Sequence, residues 1–254
     1  MDNQKFSAMK EGGEYLRTIL KQTLNVCKAG KTTLEINNFA QKLIDKTGGE
    51  ASFKKVKGYQ WATCIAINDV VVHGIPKTDV IIQEGDIVGV DVGLYYKGFH
   101  TDTSWSIVIP FINPTSKQRQ EFNKRIQFLK IGETALEDAI KQVKLNNRIG
   151  HISLSIQKSI EGAGFNVVRE LVGHGVGEKL HENPEIPGIL KTSIEKTPPL
   201  VSGMTLAIEI IYIQGKPAIF IDSDGWTIRS KDGTLAGLFE KTIALDKSDI
   251  IVLT

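Results

Sequence analysis

Cysteine is scarce in this chain, with two residues in 254. That count excludes a disulfide framework and a four-cysteine zinc site. Charge of one sign is not in excess either, because 31 Lys and Arg face 29 Asp and Glu, for a net charge of +2. This balance indicates neither a nucleic-acid surface nor a membrane surface. The N-terminus has no apolar core of a signal peptide, and no apolar run reaches membrane-spanning length. We therefore expect a cytoplasmic protein with no direct nucleic-acid motif and no membrane contact.

Helical periodicity and capping signals occur in two sets along the chain. The first half predicts a helix that ends before Gly30 and a second that runs from the capping box Thr32–Glu35 to Gly48. A β-rich region follows from about residue 64 to 109. The second half predicts one helix from Thr115 and another from Ile152 to Glu161. The chain therefore reads as α+β.

The order of these elements suggests an internal duplication. Aligning Gln41-Lys42 with Gln157-Lys158 superposes the apolar positions of the two second helices. At that offset, Asp91 aligns near Glu209, and the later β-rich region carries Glu240 much as the first carries Asp102. We expect one catalytic domain, 1–254, built from pseudo-repeat halves of about 1–112 and 113–254. The alternative is two independent domains joined near residues 110–114.

A predicted hairpin holds two carboxylates. The segments on either side of Lys97-Gly98 are β-rich, which is typical of two strands joined by a tight turn. If Tyr96 pairs with Phe99, then Asp91 and Asp102 project from the same face as diagonal neighbours, roughly 7–8 Å apart at the backbone. Two anions so close repel each other unless a cation lies between them. The hairpin therefore predicts a metal site.

Three further candidate ligands lie in β-rich or glycine-rich segments. His174 lies in a glycine-rich bend, Glu209 is expected at the end of an apolar strand, and Glu240 is expected at the end of a last strand. Each of these residues alone would be an ordinary strand or loop residue. With Asp91 and Asp102 they form the inventory for two divalent cations, roughly 3.5–4 Å apart. Four carboxylates and one imidazole suit Mn, Fe(II), Co or Zn.

In sequence order, the motifs resemble those of type I methionine aminopeptidases of the bacterial-like short form. The resemblance extends from about Lys10 to Leu253 and rests on the segments 67–76, 91–104, 173–182, 203–209, 224–227 and 239–240. It implies a pita-bread fold, in which two pseudo-symmetric helix–helix–antiparallel-sheet halves enclose a dinuclear metal site. It also implies removal of the initiator methionine from nascent polypeptide N-termini, by a monomer. A transient contact with the ribosome stays open, because a net charge of +2 does not demonstrate it.

The resemblance also assigns roles by position. Asp91 would bind one metal, His174 and Glu209 would bind the other, and Asp102 and Glu240 would bridge the two. Three residues would have catalytic roles. Glu209 would shuttle a proton, His73 would assist the leaving amine, and His181 would donate a hydrogen bond to the scissile amide.

The resemblance places Tyr59, Cys64, Leu180 and Trp226 in the walls of a methionine pocket, where a thioether would pack against aromatic edges. On sequence alone, each of these residues could equally be ordinary core.

Four positions depart from the usual pattern of the family. Leu180 stands where phenylalanine is common, Ile210 where proline is usual, Lys241 where histidine is frequent and Val72 where cysteine is common. None of the four removes a proposed ligand.

Three other functions compete with this interpretation. An Xaa-Pro aminopeptidase or dipeptidase would use the same ligands, but such enzymes usually carry a large extra N-terminal domain. A pita-bread protein that serves only as a binding module would typically lack several ligands, and here all five are present. A hydrolase of another small amide is the third alternative.

Overall fold

Four α-helices form in the computed structural model, which describes residues 3–246 and 249–254. They are α1 Asn3–Val26, α2 Thr33–Asp45, α3 Ser116–Ile140 and α4 Ile149–Gly162. Capping boxes at Thr32 and Thr115 begin α2 and α3, because each threonine oxygen accepts a hydrogen bond from an otherwise unpaired amide of the first turn.

Two helix boundaries differ from the sequence expectation. Helix α4 begins at Ile149, three residues before the expected Ile152, because the ring of His151 accepts the Arg148 amide and stabilises an earlier turn. The N-cap position is Arg148, which is not one of the usual capping residues and so does not indicate this start. Helix α1 ends at Val26, so Cys27 lies just beyond it, with its thiol donating to the Thr23 carbonyl.

The strands form one large antiparallel sheet and one small one. In chain order they are β1 Glu50–Ala51, β2 Thr63–Ile67, β3 Val70–Val72, β4 Ile87–Tyr96, β5 Phe99–Val108, β6 Asn166–Val167, β7 Val172–Gly175, β8 Glu182–Pro187, β9 Thr205–Ile213, β10 Ile219–Ile221, β11 Ile228–Ser230, β12 Ala236–Asp246 and β13 Asp249–Val252. The large sheet has the order β1-β4-β5-β12-β9-β7-β8, with β2 on β4, β6 on β9 and β13 on β12. The small sheet has the order β10-β11-β3.

Each pair of helices packs with strands of its own half of the chain. The first core, between α1, α2 and the strands β2 and β4, includes Leu16, Ile19, Ile36, Ile44, Val90 and Leu94. The second, between α3, α4 and the strands β9 and β12, includes Leu136, Ile156, Ile208, Tyr212 and Phe239. Each fully buried apolar side chain of this size contributes roughly 1.5–3 kcal/mol. The helices therefore cover one face of the large sheet, and the other face is available for the site.

Helix α3 lies very close to the sheet at Gly132. A Cβ atom at this position would lie 2.6 Å from the ring of Phe239 and 2.7 Å from that of Tyr212. Only glycine allows this approach without movement of two fully buried aromatic rings. None of the helices in the described ranges has both the length and the apolar content needed to cross a membrane.

Candidate metal centre and side-chain cavity

The β4–β5 hairpin has the register that the sequence predicts. Tyr96 pairs with Phe99, so that Asp91 lies opposite Ser104 and Asp102 lies opposite Gly93. Lys97 and Gly98 form the turn with φ of 48° and 92°, which is the left-handed backbone of a tight hairpin turn. The two carboxylates therefore project from one face of the sheet.

The two glutamates extend the same row across the sheet. Glu240 of β12 pairs with Ser104 of β5 on one side and with Glu209 of β9 on the other. Because directly paired residues project from the same face, Asp91, Ser104, Glu240 and Glu209 form a single row across four strands. His174 of β7 pairs with a residue two positions before Glu209, which puts it on that face as well.

The expected position of the glutamates within their strands is wrong. Both were expected at strand ends, but Glu209 is the fifth of nine residues in β9 and Glu240 the fifth of eleven in β12. Strand β13 follows β12, so β12 is not the last strand. Each strand continues past its glutamate because its residues on the face opposite the carboxylates pack into the core. Ile210, for example, is fully buried there.

Three of the expected ligands converge closely. Side-chain atoms of Asp102, His174 and Glu240 that could bind a metal all lie within 4.8 Å of one another. His174 Nε2 lies 3.4 Å from Glu209 Oε1, which brings the fourth ligand to the same point. Asp91 lines the same cavity as these residues, although it is not part of the tight group.

Two buried carboxylate oxygens have no hydrogen-bond partner within the described residues, Asp91 Oδ1 and Glu240 Oε1. A buried carboxylate without a compensating partner is costly. Cations would satisfy both atoms, and the oxygen-rich donor set with one imidazole is chemically suited to divalent metals. The residues present therefore fit a metal site.

The four carboxyls have raised pKa values for the same reason. Burial, followed by repulsion from neighbouring carboxylates, raises the pKa of Asp91 and Glu240 well above the usual range. Burial raises the pKa of Asp102 to about 7, and burial together with Asp102 raises that of Glu209 to about 8. A bound cation would favour the ionised form of these groups and offset the cost of their burial and mutual repulsion.

His174 is held in the form that binds metals. Its Nδ1 lies 2.8 Å from the carbonyl oxygen of Gly175, and a carbonyl only accepts, so the proton resides on Nδ1. Burial and the nearby His181 lower the pKa of His174 to about 4, so the ring is neutral near pH 7. Nε2 is therefore the free acceptor that faces the carboxylates.

The two other expected histidines lie at the rim of the same cavity, and both are exposed. The His181 ring centroid is 4.4 Å from that of His174. His73 follows β3 with φ of 56°, and Gly74 after it lies so close to the Ile65 carbonyl that a side chain would not fit. Both imidazoles are therefore accessible to a molecule that enters the cavity.

An apolar cavity lies beside the carboxylates. All four expected pocket residues line it: Tyr59, Cys64, Leu180 and Trp226. The Tyr59 and Trp226 rings meet edge to face at 5.1 Å, and the Tyr59 hydroxyl donates to the Thr63 carbonyl. The volume of the whole cavity, which the carboxylates and imidazoles also line, is about 130 Å³. A cavity of about 150 Å³ accommodates benzene, so this one is of the size of a single side chain.

Sequence reasoning missed two lining residues, Phe53 and Val56. They come from a 3₁₀ turn, Ser52–Lys55, and from the residue after it. A four-residue turn is too short for a periodic pattern, so no signal in this stretch identifies these residues as pocket walls.

Three of the four departures from the family pattern lie away from the cavity. Ile210 packs in the second core, and Val72 packs with the small sheet. The Lys241 ammonium donates to the Thr254 carbonyl and lies 5.7 Å from the centre of the Trp105 ring. Only Leu180 reaches the cavity lining.

Size alone does not identify the site. A larger depression of about 590 Å³ lies between the start of α4, β8 and the segment 189–198. Its lining in the described structure includes none of the five expected ligands. The convergence of carboxylates and imidazoles therefore identifies the smaller cavity as the candidate site.

Comparison with known proteins agrees with this geometry. The sequence model of the family described as metallopeptidase family M24 matches residues 7–236, and the chain belongs to that family. It is 33% identical to methionine aminopeptidase 1 of Bacillus subtilis over 99% of this chain and 96% of the relative. It superposes on the crystal structure of methionine aminopeptidase from Thermotoga maritima with a TM-score of 0.91 and 33% identity, covering 100% of this chain and 98% of the other. The chain is a metallo-aminopeptidase of the bacterial methionine aminopeptidase type, with the pita-bread fold.

A prolidase from Pyrococcus horikoshii shares the fold alone. Its TM-score is 0.73 at 19% identity, and this chain covers 62% of its length. The metallo-aminopeptidase assignment therefore rests on the full-length relatives.

Proposed function

We propose that this chain removes the N-terminal methionine from newly made polypeptides, using two divalent cations held by five residues. Asp91, Asp102, His174, Glu209 and Glu240 would hold them. The single observation that carries the proposal is the row of carboxylates across four strands, with an imidazole and an apolar cavity beside it. The unpaired oxygens of Asp91 and Glu240 support the presence of a bound cation at this point.

The cations are Co, Mn, Fe(II) or Zn, because oxygen-rich sets with one imidazole suit these metals. When bound, they would lower the pKa of a water molecule and polarise the scissile carbonyl. Glu209 is the proton shuttle, because its carboxyl lines the cavity beside the other candidate ligands, where it could take and return a proton of bound water.

The rim histidines act on the substrate. His181 donates a hydrogen bond to the scissile amide and stabilises the charge that develops there. His73 assists the leaving amine. Their exposure at the mouth of the cavity supports these roles, because a peptide can reach both rings without displacing the core.

The cavity binds the methionine side chain. Its walls combine aromatic edges at Tyr59 and Trp226 with the small Cys64 and the flexible Leu180. A polarizable thioether packs well against such edges. The relatives that match over the full length are methionine aminopeptidases by name, which supports this choice of substrate.

Residues 1–254 act as one catalytic domain, because the halves 1–112 and 113–254 each supply ligands to the same sheet face. The protein works as a monomer in the cytoplasm on nascent N-termini, with a transient ribosome contact. The net charge of +2 supports weak rather than strong electrostatic attraction to such a partner.

The test is methionine release from a Met-Ala-Ser peptide by metal-stripped protein, before and after addition of Mn(II) or Co(II). We expect release only with metal. An Ala-Pro dipeptide is the matched alternative substrate. Cleavage of Ala-Pro without release from Met-Ala-Ser would identify an Xaa-Pro enzyme, and no cleavage of either by folded, metal-loaded protein would indicate a binding module.

A further inference from the structure

His100 is a buried histidine to which the proposed mechanism gives no role. It is 5% exposed and lies on β5 two residues before Asp102, so its side chain projects from the same face of the sheet. Its ring lies 4.6 Å from that of Tyr95, and its Nδ1 lies 2.9 Å from the hydroxyl oxygen of Ser52. The ring thus contacts a segment outside its own hairpin.

Ser52 begins the 3₁₀ turn that carries Phe53 into the cavity wall. The serine is completely buried and lies over Gly93, where a Cβ atom would come within 2.7 Å of the serine Cβ. Phe53 lies 6.4 Å from Tyr59, edge to face. The position of Ser52 on the sheet therefore sets how far the Phe53 ring extends toward the cavity.

The backbone of His100 contacts the opposite wall. Its amide donates to the Gly177 carbonyl at 2.7 Å, and the Gly177 amide donates to the Lys179 carbonyl at 3.0 Å. The loop that these bonds hold leads directly to Leu180 and His181. One residue of β5 thus contacts two irregular segments that both contribute residues to the cavity lining.

We propose that His100 is a positioning residue that sets the width of the side-chain cavity and thereby the selectivity for methionine over branched side chains. Its ring holds the turn that carries Phe53, while its backbone holds the loop that carries Leu180. This inference rests on the proposed function, because it takes the cavity as the site of the substrate's first side chain.

The state of the ring suits this role. Burial and the nearby Lys55 ammonium lower the pKa of His100 to about 4, so the ring is neutral near pH 7. A neutral ring and a hydroxyl form one ordinary hydrogen bond, and no charge is required. The amide of asparagine reaches about as far as Nδ1 and is therefore the conservative replacement.

The test compares release of the first residue from Met-Ala-Ser, norleucine-Ala-Ser and Leu-Ala-Ser peptides by metal-loaded protein. The variants are His100→Leu, which removes the hydrogen bond, His100→Asn, which retains a partner, and Ser52→Ala, which removes only the hydroxyl. The matched control is His151→Leu, since the ring of His151 also makes one Nδ1 hydrogen bond, at the start of α4 and away from the cavity.

We expect His100→Leu and Ser52→Ala to lower kcat/KM for the methionine peptide by about three- to tenfold, the size of one lost buried hydrogen bond. The loss should appear mainly in KM. The ratio of kcat/KM for the methionine peptide to kcat/KM for the leucine peptide, called the methionine-to-leucine ratio, should fall by a similar factor. His100→Asn should recover to within about twofold of the wild type. His151→Leu should leave the ratio unchanged, and all variants should retain the wild-type metal content.

A merely structural contact would lower the melting temperature and leave the methionine-to-leucine ratio as it is, and that result would overturn the proposal. A change in ratio of equal size in His151→Leu would also overturn it. If His100→Leu does not fold, the ratio measured for Ser52→Ala decides. A wild-type enzyme that releases no methionine would contradict the proposed function itself, whereas an active wild type with unchanged ratios would contradict only the role of His100.

Discussion

Replacing Asp224 by alanine is expected to destabilise the region that joins the His73 and Trp226 loops. The carboxylate accepts hydrogen bonds from the Trp226 amide at 3.1 Å, from the amide and hydroxyl of Thr227 at 2.8 Å each, and from Lys77 Nζ at 3.0 Å. The Thr227 hydroxyl oxygen also accepts from the Ile75 amide at 3.4 Å, two residues after His73. One carboxylate therefore connects two segments of the cavity rim.

The magnitude follows from these partners. The Asp224 side chain is 16% exposed, so its three bonds within the 224–227 loop are partly desolvated, and loss of such a cap costs about 1–2 kcal/mol. The ion pair with Lys77 adds under about 1 kcal/mol, because the lysine side chain is 39% exposed and screened by solvent. We expect Asp224→Ala to cost about 1–3 kcal/mol in total, and Asp224→Asn about 1 kcal/mol because it keeps one acceptor oxygen.

Thermal melting measures this cost. For a chain of this size, 1 kcal/mol corresponds to about 2–4 °C, so Asp224→Ala should lower Tm by about 2–12 °C. The matched control is Asp232→Asn, whose exposed carboxylate caps Lys216 and Thr234 in a turn outside the cavity lining. A variant Asp224→Ala that melts within a degree of the wild type, or less stability lost at Asp224 than at Asp232, would refute the reasoning.

The Asp224 carboxylate should also make the stability of the protein depend on pH. Burial alone would raise the pKa of Asp224, but the hydrogen bonds from Thr227, Lys77 and Trp226 outweigh it and hold the pKa well below the usual range. A carboxyl with a depressed pKa stabilises the fold at pH values above its unfolded pKa of about 4, and that stability is lost as the pH falls toward the folded value. The Tm difference between wild type and Asp224→Asn should therefore be constant from pH 8 to about 5 and narrow below about 4. An unchanged difference at about pH 3 would contradict this.

Three further outcomes are expected. His174→Ala should lose bound metal and nearly all methionine release, while His181→Ala should keep its metal content and lower kcat by about 10²–10³; equal metal content in both would contradict the ligand role. Chelation should lower the melting temperature, because buried carboxylates then repel one another, and Mn(II) should restore it. Gly132→Ala should cost about 1–3 kcal/mol in urea denaturation because its Cβ would lie 2.6 Å from the Phe239 ring. Gly162→Ala, with nothing within 4 Å, is the neutral control.

Much of the site could be predicted from local sequence pattern. The β4–β5 hairpin was predicted residue by residue, since a tight turn at Lys97-Gly98 leaves one register and the two-residue alternation then determines the face. The capping box at Thr32 likewise predicted the start of α2, because the cap and its partner lie three residues apart. These features depend on neighbours in the chain, and for that reason the sequence alone determines them.

The relation between distant strands could not be predicted in this way. That Glu240 lies between Ser104 and Glu209 depends on the pairing of β12 with β5 and β9, which no local turn connects. The expectation that both glutamates end their strands failed for this reason, because each strand is extended by apolar residues that pack against helices of the same half of the chain.

By itself, then, the sequence determined the ligand types, the α+β class and the face of the hairpin, because each follows from composition or from contacts a few residues apart. Only the tertiary structure decided that Phe53 and Val56 line the cavity, that His174 presents Nε2 to the carboxylates, and that His100 contacts both walls. Those relations join segments tens of residues apart, and they exist only once the two helix-covered halves have closed into one sheet.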